Sequence, residues 1–265
     1  MAAYITFIVG DKGSGKSLLE SRTAMYLFHQ YRETEKKYPK LKHRIYFSKQ
    51  KFTKKVEERE LITEKNPDGH LMYWSKLDDL QFCPRLNCWR GEKPHPIHNT
   101  DVAWDEIGND LPPDGWNDNP DYVRQMFSHC RKRGNRIYAN AQKYEMTDVH
   151  FRRQVDRCWK VAKLFGSRDI DVTRPDPRFV FVIQIIREFD PADMENESDE
   201  RNLNELQLGF PRFNFYTKKD VEVYDTHFEL PPMTSRWMKE EIWSCIEGDN
   251  CQDPKHRHKV VHVKV

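Results

Sequence analysis

The octapeptide Gly10-Asp11-Lys12-Gly13-Ser14-Gly15-Lys16-Ser17 follows directly on the apolar run Tyr4-Ile5-Thr6-Phe7-Ile8-Val9. It is a complete G-x-x-x-x-G-K-[ST] phosphate-binding pattern, with a strand in front and a helix behind as the chemistry demands. The glycines let backbone N–H groups turn inward around an anion where a Cβ would not fit. The helix that follows aims its positive end at the same charge. At average residue usage such a match arises by chance in roughly one chain of this length in a hundred. A Gly-rich turn with an accidental lysine is therefore the weaker reading. Gly10, Asp11, Lys12, Gly13, Ser14, Gly15, Lys16, Ser17 and Leu18 form the expected nucleotide-binding set. Lys16 is expected to reach the β- and γ-phosphates as an exposed loop-end charge, and Ser17 to place its hydroxyl on Mg²⁺.

Composition bounds the remaining possibilities. The 265 residues fit one large α/β domain, or one with an appendage. With 32% charged and 37% hydrophobic residues the chain is very polar, yet its net charge is only +2, so charge alone does not announce a nucleic-acid binder. The end of the chain, Lys255 to Val265, is locally basic and reads first as a solvated tail or edge strand. No apolar run approaches the ~18 residues of a membrane span, and no signal-peptide pattern opens the sequence. Nothing in these segments sends the chain out of the cytosol, which is the expected compartment. In that setting, six cysteines read as free thiols or metal ligands rather than disulfides.

Strand-like and helix-like segments alternate, which predicts a mainly parallel sheet flanked by helices. Strands are expected at Tyr4–Val9, Arg44–Ser48, Leu71–Trp74, Val102–Trp104, Arg136–Asn140, Cys158–Leu164 and Phe179–Phe189, with further strand-like stretches at Phe213–Tyr216 and Val221–Tyr224. Helices are expected from Gly15 to about Tyr31, Thr53 to Leu61, Pro120 to Lys132 and Val149 to Gln154. Residues 82–100 read as an irregular Cys-, His- and Pro-rich insertion, and Asp193 to Asn204 as an acidic, mobile loop. The predicted organisation is an ATPase domain over 1–230 and an extension over 231–265.

Asp101-Val102-Ala103-Trp104-Asp105-Glu106 supplies the second chemical element. A strand next to the first one is expected to carry an acid at its C-terminal end, beside the phosphates. Asp105 would hold Mg²⁺ through water, since that ion prefers oxygen ligands and keeps several of its own waters. Glu106 would polarise the attacking water as general base. In isolation the pair reads as a plain strand exit, and the upstream loop changes the balance. Two short patterns mimic a GTPase, Asp105-Glu106-Ile107-Gly108 and Thr217-Lys218-Lys219-Asp220. The first lies too far from the phosphate loop, and the second sits between strand-like stretches instead of before a helix.

Phe127-Ser128-His129-Cys130-Arg131-Lys132-Arg133-Gly134 ends a helix at a glycine, and the strand after it ends Ala139-Asn140-Ala141-Gln142. Gln142, at that tip, suits a sensor of the γ-phosphate or the lytic water. Val149-His150-Phe151-Arg152-Arg153 and, much later, Val223-Tyr224-Asp225-Thr226-His227 complete the order. This succession resembles the zonular occludens toxin-like family, which includes the filamentous-phage assembly ATPases, over roughly residues 1–228. The resemblance implies a P-loop ATPase of the DNA-pumping type that works as a homo-oligomeric ring to assemble, package or extrude a viral genome. It also implies viral DNA and capsid or membrane assembly proteins as partners. Phage assembly members continue into a transmembrane helix and an outer domain; neither appears in this sequence, so a soluble motor is the expectation.

Such a ring takes an arginine from a neighbouring subunit to neutralise charge at the γ-phosphate. Arg131 is the first candidate and Arg152 the second, each weighed against a surface ion pair or a nucleic-acid contact. Cys83, Cys88, His95 and His98 have the ingredients of a zinc site, with free thiols in a loop as the default. Trp89 and Trp116 read as packing residues before base-stacking ones. ATP and Mg²⁺ are thus the expected cofactors, with Zn²⁺ in reserve. Two rival functions share the loop: a nucleotide-gated assembly adaptor with little turnover, and a small-molecule kinase.

Overall fold

In the computed structural model the described residues are 4–39, 44–83, 96–115, 119–165, 182–195, 207–217, 220 and 223. Eight strands form one sheet: β1 (Ile5–Val9), β2 (Ile45–Ser48), β3 (Leu71–Tyr73), β4 (Thr100–Trp104), β5 (Arg136–Ala141), β6 (Arg157–Phe165), β7 (Val182–Phe189) and β8 (Arg212–Tyr216). The helices are α1 (Lys16–Lys37), α2 (Lys54–Glu60), α3 (Ile107–Asp110), α4 (Asp121–Ser128), α5 (Val149–Arg152) and α6 (Pro191–Glu195). The strand order is β3-β2-β4-β5-β1-β6-β7-β8. Every pairing from β3 through β6 is parallel, while β7 and β8 add on antiparallel. The fold is α/β with a mostly parallel sheet flanked by helices.

Period-two alternation along the strands assigns the core to two faces. Ile5, Phe7, Val9, Phe47, Val102, Trp104, Ile137 and Ala139 point to one side, where they meet Val123, Met126 and Phe127 of α4 and Phe151 of α5. Tyr46 and Ala103 point to the other, against Ala24, Leu27, Phe28 and Tyr31 of α1. Ile8 joins Leu19 of α1 on that same side. Both faces of the central strands are covered, which is why β1, β2 and β4 are buried at every position. On the α4 side aromatic rings interlock. Trp74 meets Trp104 edge-on at 5.0 Å, Trp104 stacks on Phe127 at 5.9 Å, and Phe7 meets Phe151 edge-on at 5.4 Å.

Several sequence expectations are corrected. The acid-bearing β4 is not next to β1, because β5 lies between them. Helix α1 continues six residues past Tyr31 to Lys37, since no breaker intervenes before Pro39 and Glu33 and Lys36 pair at 2.9 Å along it. Helix α4 ends at Ser128 rather than Lys132. Turns replace its last residues, and Gly134 closes them at φ +66°. Val223 lies in a turn and not in a strand. Its carbonyl accepts from the Thr53 N–H at 2.9 Å, while residues 221, 222 and 224 lie outside the described residues. The expected acidic loop begins inside α6, and 196–204 lie outside the described residues, as do 84–95 of the insertion and the whole of 231–265.

At the N-terminal ends of the strands sits a buried charge cluster. Asp101 of β4 is fully buried and accepts from Arg136 Nε at 2.6 Å, Arg44 Nε at 3.1 Å and the Tyr31 hydroxyl. Burial pushes the carboxyl up, and the Arg136 and Arg44 bonds reverse this, so Asp101 is held below the ordinary carboxylate range. A group with a depressed folded pKa contributes stability above its unfolded value of about 3.9, and that contribution is lost as pH falls through the folded value. Asp101→Ala leaves two arginines facing an empty buried site. Urea unfolding at pH 7 is expected to show a loss of about 3–5 kcal/mol, and the variant's acid limb below about pH 4 should be shallower than the parent's.

Candidate nucleotide site

The phosphate loop leaves the C-terminal end of β1 and enters α1, the geometry its sequence demanded. Gly10 cannot carry a side chain, because a Cβ there would lie 2.3 Å from the Val161 carbonyl of the neighbouring β6. Gly15 has φ +88° and forms the N-cap of α1, a left-handed conformation that glycine adopts without strain. The Ser14 N–H closes onto the Asp11 carbonyl at 3.0 Å, and the Gly10 N–H reaches the Gln142 carbonyl at 3.3 Å. Asp11, Lys12 and Gly13 are exposed on the outer turn of the loop. The Ser14 hydroxyl is buried without a hydrogen-bond partner, an orphaned polar atom of the kind a bound oxyanion satisfies.

Lys16 departs from expectation. It is buried, not an exposed charge, and its ammonium donates to the Gly10 carbonyl at 2.7 Å and the Asp11 carbonyl at 3.4 Å. Burial pulls its pKa below the ordinary lysine value, against the opposing pull of Glu106, Asp105 and Asp11. The acids of the second motif are thus within electrostatic reach of the loop even though β5 separates their strand from β1. Asp105 and Glu106 follow β4 in a turn, and Glu106 is strained at φ +47°. A non-glycine residue held there costs on the order of 1–3 kcal/mol and persists only when its surroundings fix it. One bond does so: the Glu106 N–H donates to the Asn140 side-chain oxygen at 3.1 Å. Helix α3, which follows, is tied down by Asp110, which accepts from Trp104 Nε1 at 2.7 Å and pairs with Lys49. Burial pushes the Glu106 carboxyl up, assisted by Asp105 and opposed by Lys16 and Gln142.

Three residues of the site were not singled out from the sequence. Asn140 points from β5 to the α1 face and donates to Glu20 Oε2 at 2.9 Å, while its oxygen holds Glu106. Glu20 lies one turn beyond Ser17 on α1 and is buried. Burial and then Asp105 drive its pKa well up, against the Asn140 bond. Gln184 of β7 bonds the loop's backbone from behind. Asn140 and Gln184 are each a lone polar residue between apolar ones, and that was the available signal, whereas Glu20 precedes Ser21, Arg22 and Thr23 and carried none.

Other candidates lie apart from this cluster. Arg131 is exposed, with its guanidinium 5.2 Å from the Tyr4 ring centre. Tyr4 precedes β1 and the loop follows it, so Arg131 is at the opposite end of the sheet, about 16 Å of strand away. Arg152 stacks 5.2 Å from the Tyr144 ring. Cys83 is buried and His98 Nδ1 lies 3.1 Å from the Pro96 carbonyl, while Cys88, His95, Trp89 and Trp116 lie outside the described residues. Among the described residues no group of three or more metal-ligating side chains converges. The GTPase mimics have local explanations. A Cβ on Gly108 would meet the Met146 carbonyl at 2.7 Å, and Asp220 folds back onto the Thr217 N–H and hydroxyl at 2.7 and 2.8 Å. No described helix is long and apolar enough to cross a membrane.

No protein-family profile matches the chain, and no curated protein matches it in sequence. In structure the chain is similar to the N-terminal domain of zonular occludens toxin from Neisseria meningitidis, at 15% identity over 85% of this chain and 100% of that one, with a TM-score of 0.48. It is also similar to the genome packaging NTPase B204 of Sulfolobus turreted icosahedral virus 2 in complex with ATP-gammaS, at 12% identity over 80% and 96%, TM-score 0.38. A third is the flagellar accessory protein FlaH of Methanocaldococcus jannaschii, at 13% identity over 71% and 78%, TM-score 0.39.

Glu20 gives the site a pH signature. An acid whose folded pKa is raised favours the folded state while protonated, and it loses that advantage as pH rises from its unfolded value of about 4.3 through the folded one. Glu20→Gln keeps the size and an acceptor for Asn140 but removes the titration. Urea unfolding at pH 6 and 8 is expected to show the parent weakening with pH by on the order of 1 kcal/mol more than the variant.

Proposed function

We propose that this chain binds Mg-ATP at the phosphate loop and hydrolyses it, as a subunit of a ring that moves viral DNA. The observation that carries the hydrolytic reading is the convergence of Lys16, Asp105, Glu106 and Gln142 at one end of the parallel sheet. A binder needs only the loop, whereas an acid fixed in strained backbone by the Asn140 carboxamide is the arrangement of a base aimed at water. The glycine cradle, the orphaned Ser14 hydroxyl and the hard oxygen donors Ser17 and Asp105 fit a Mg-bound triphosphate. Ser17 and Asp105 would hold the Mg²⁺, which when bound would supply neutralising charge to the phosphates.

Lys16 moves from the Gly10 and Asp11 carbonyls to phosphate oxygens when these arrive, exchanging neutral acceptors for charged ones. Glu106 takes the proton of the attacking water. Its burial raises its basicity, a shift that Lys16 opposes. Gln142, which follows β5 directly at the same end of the sheet, orients that water. Ring assembly and viral DNA rest on the succession of motifs that resembles the zonular occludens toxin-like family. Arg131 suits service to a neighbour, since it is exposed and remote from its own loop.

Two substitutions separate binding from chemistry. Lys16→Ala is expected to weaken Mg-ATP binding by about 10²-fold or more, with a stability loss of about 1–2 kcal/mol from the two carbonyls it leaves without their donor. Glu106→Gln is expected to keep ATP affinity and lose phosphate release by about 10²-fold. Calorimetric titration and a phosphate-release assay, each with single-stranded and duplex DNA, read both. A parent that binds ATP without turnover under all conditions is the adaptor, and phosphate appearing on an added acceptor marks a kinase.

Assembly is tested by mixing. If Arg131 acts in trans, specific activity rises with protein concentration as light-scattering mass rises, and Arg131→Ala alone loses on the order of 10³-fold. Arg131→Ala subunits combined with Lys16→Ala subunits then recover turnover at mixed interfaces. Activity that stays flat from monomer to oligomer rejects the trans role.

A further inference from the structure

Gln184 sits on the antiparallel strand β7 in the apolar run Val182-Ile183-Gln184-Ile185-Ile186, and it is buried. Its carboxamide Nε2 donates to two successive loop carbonyls, Ser14 at 3.0 Å and Gly15 at 2.9 Å. Its oxygen accepts from the Tyr216 hydroxyl of the edge strand β8 at 2.8 Å. The chemistry fixes the amide's orientation, because the opposite flip would set an oxygen against both carbonyls. Gly15 is doubly required, since a Cβ there would lie 2.8 Å from Gln184 Nε2. At the rim, Arg22 of α1 lies 5.3 Å from the Tyr216 ring centre and donates to the Phe215 carbonyl at 3.0 Å.

A trans peptide is planar, so its N–H points away from its C=O. Holding the Ser14 and Gly15 carbonyls toward β7 therefore turns the N–H groups of Gly15 and Lys16 to the opposite side, into the loop's concavity. Those are donors that an anion in the loop would meet, and fixing them beforehand removes the ordering cost from binding. We infer that Gln184, anchored by Tyr216, is a positioning residue that pre-sets the phosphate loop from behind and couples nucleotide binding to the β7–β8 hairpin. The inference rests on the reading of the loop as a nucleotide site. By linkage the coupling runs both ways: a nucleotide that engages the clamped N–H groups also stabilises the hairpin that clamps them.

The test uses the full chain with Mg-ADP and Mg-ATP as probes in calorimetric titration at pH 8. Gln184→Glu preserves size but is acceptor-only when ionised. It is expected to weaken both nucleotides by roughly ten-fold or more, and more than the smaller Gln184→Ala does. Tyr216→Phe, which removes one hydroxyl and keeps the ring, is expected to cost about three-fold. Hydrogen exchange supplies the second readout, in which Mg-ADP slows exchange of the β8 amides in the parent and not in Gln184→Ala. A Gln184→Glu protein that binds like the parent, or a defect confined to Gln184→Ala, would mean the side chain only fills space and would overturn the inference. Should Gln184→Glu fail to fold, parent-like affinity in Tyr216→Phe together with equal β8 protection in parent and Gln184→Ala overturns it equally. A parent that binds neither nucleotide instead sinks the nucleotide-site reading, so the two failures are distinct.

Discussion

One carboxamide joins the two halves of the site. Asn140 donates to Glu20 on α1 and accepts from the Glu106 N–H beyond β4, at 2.9 and 3.1 Å. That bridge exists only because β5 is inserted between β1 and β4. Were the acid-bearing strand adjacent to β1, no side chain would stand between the helix of the phosphate loop and the acidic turn. The insertion moves the acids one strand further out, about 5 Å, and supplies the polar strand end that recovers the lost reach. Glu106 can therefore be held in a left-handed conformation that its own sequence would not choose.

The electrostatics follow from this crowding. Lys16, Glu20 and Glu106 share a partly dehydrated end of the sheet with Asp105, and burial disfavours charge on Lys16, Glu20 and Glu106. The cluster resolves the conflict by division of labour. Glu20, fully buried, is driven toward its neutral form, while Glu106 keeps its charge more readily because Lys16 faces it. A neutral Glu20 also lessens its repulsion with Asp105.

What the sequence revealed and what it concealed differ by range. The loop between β1 and α1 and the acidic turn after β4 were legible because each pattern spans a few consecutive residues, and the strands and helices were legible because hydrophobic period is local. Strand order was not, since alternation implies parallel neighbours without saying which ones. The burial of Lys16 escaped notice because it depends on carbonyls that fold back over it. The bond from Gln184 to Ser14 spans 170 residues, and no local pattern announces it. Its trace was an amide alone among Val182, Ile183, Ile185 and Ile186, and the same trace marked Asn140 between Ala139 and Ala141, whereas Glu20 followed by Ser21 and Arg22 left none. A polar residue stranded in an apolar run must find a partner, so such residues identify where long-range contacts will form.

The two ends of the sheet use buried charge in opposite ways. At the N-terminal ends of the strands, Asp101 is satisfied by two arginines and a tyrosine, and the network is closed. At the C-terminal ends the Ser14 hydroxyl and one Glu20 oxygen are left without hydrogen-bond partners, and Glu106 sits in strained backbone. Unsatisfied groups of this kind each cost on the order of 1–3 kcal/mol. They persist because the aromatic packing of Phe7, Trp104, Phe127 and Phe151 locks the strands between the two ends. The same strands thus carry an arginine-paired carboxylate at one end and, at the other, the unpartnered Ser14 hydroxyl and Glu20 oxygen, which are the atoms placed to meet something that arrives there.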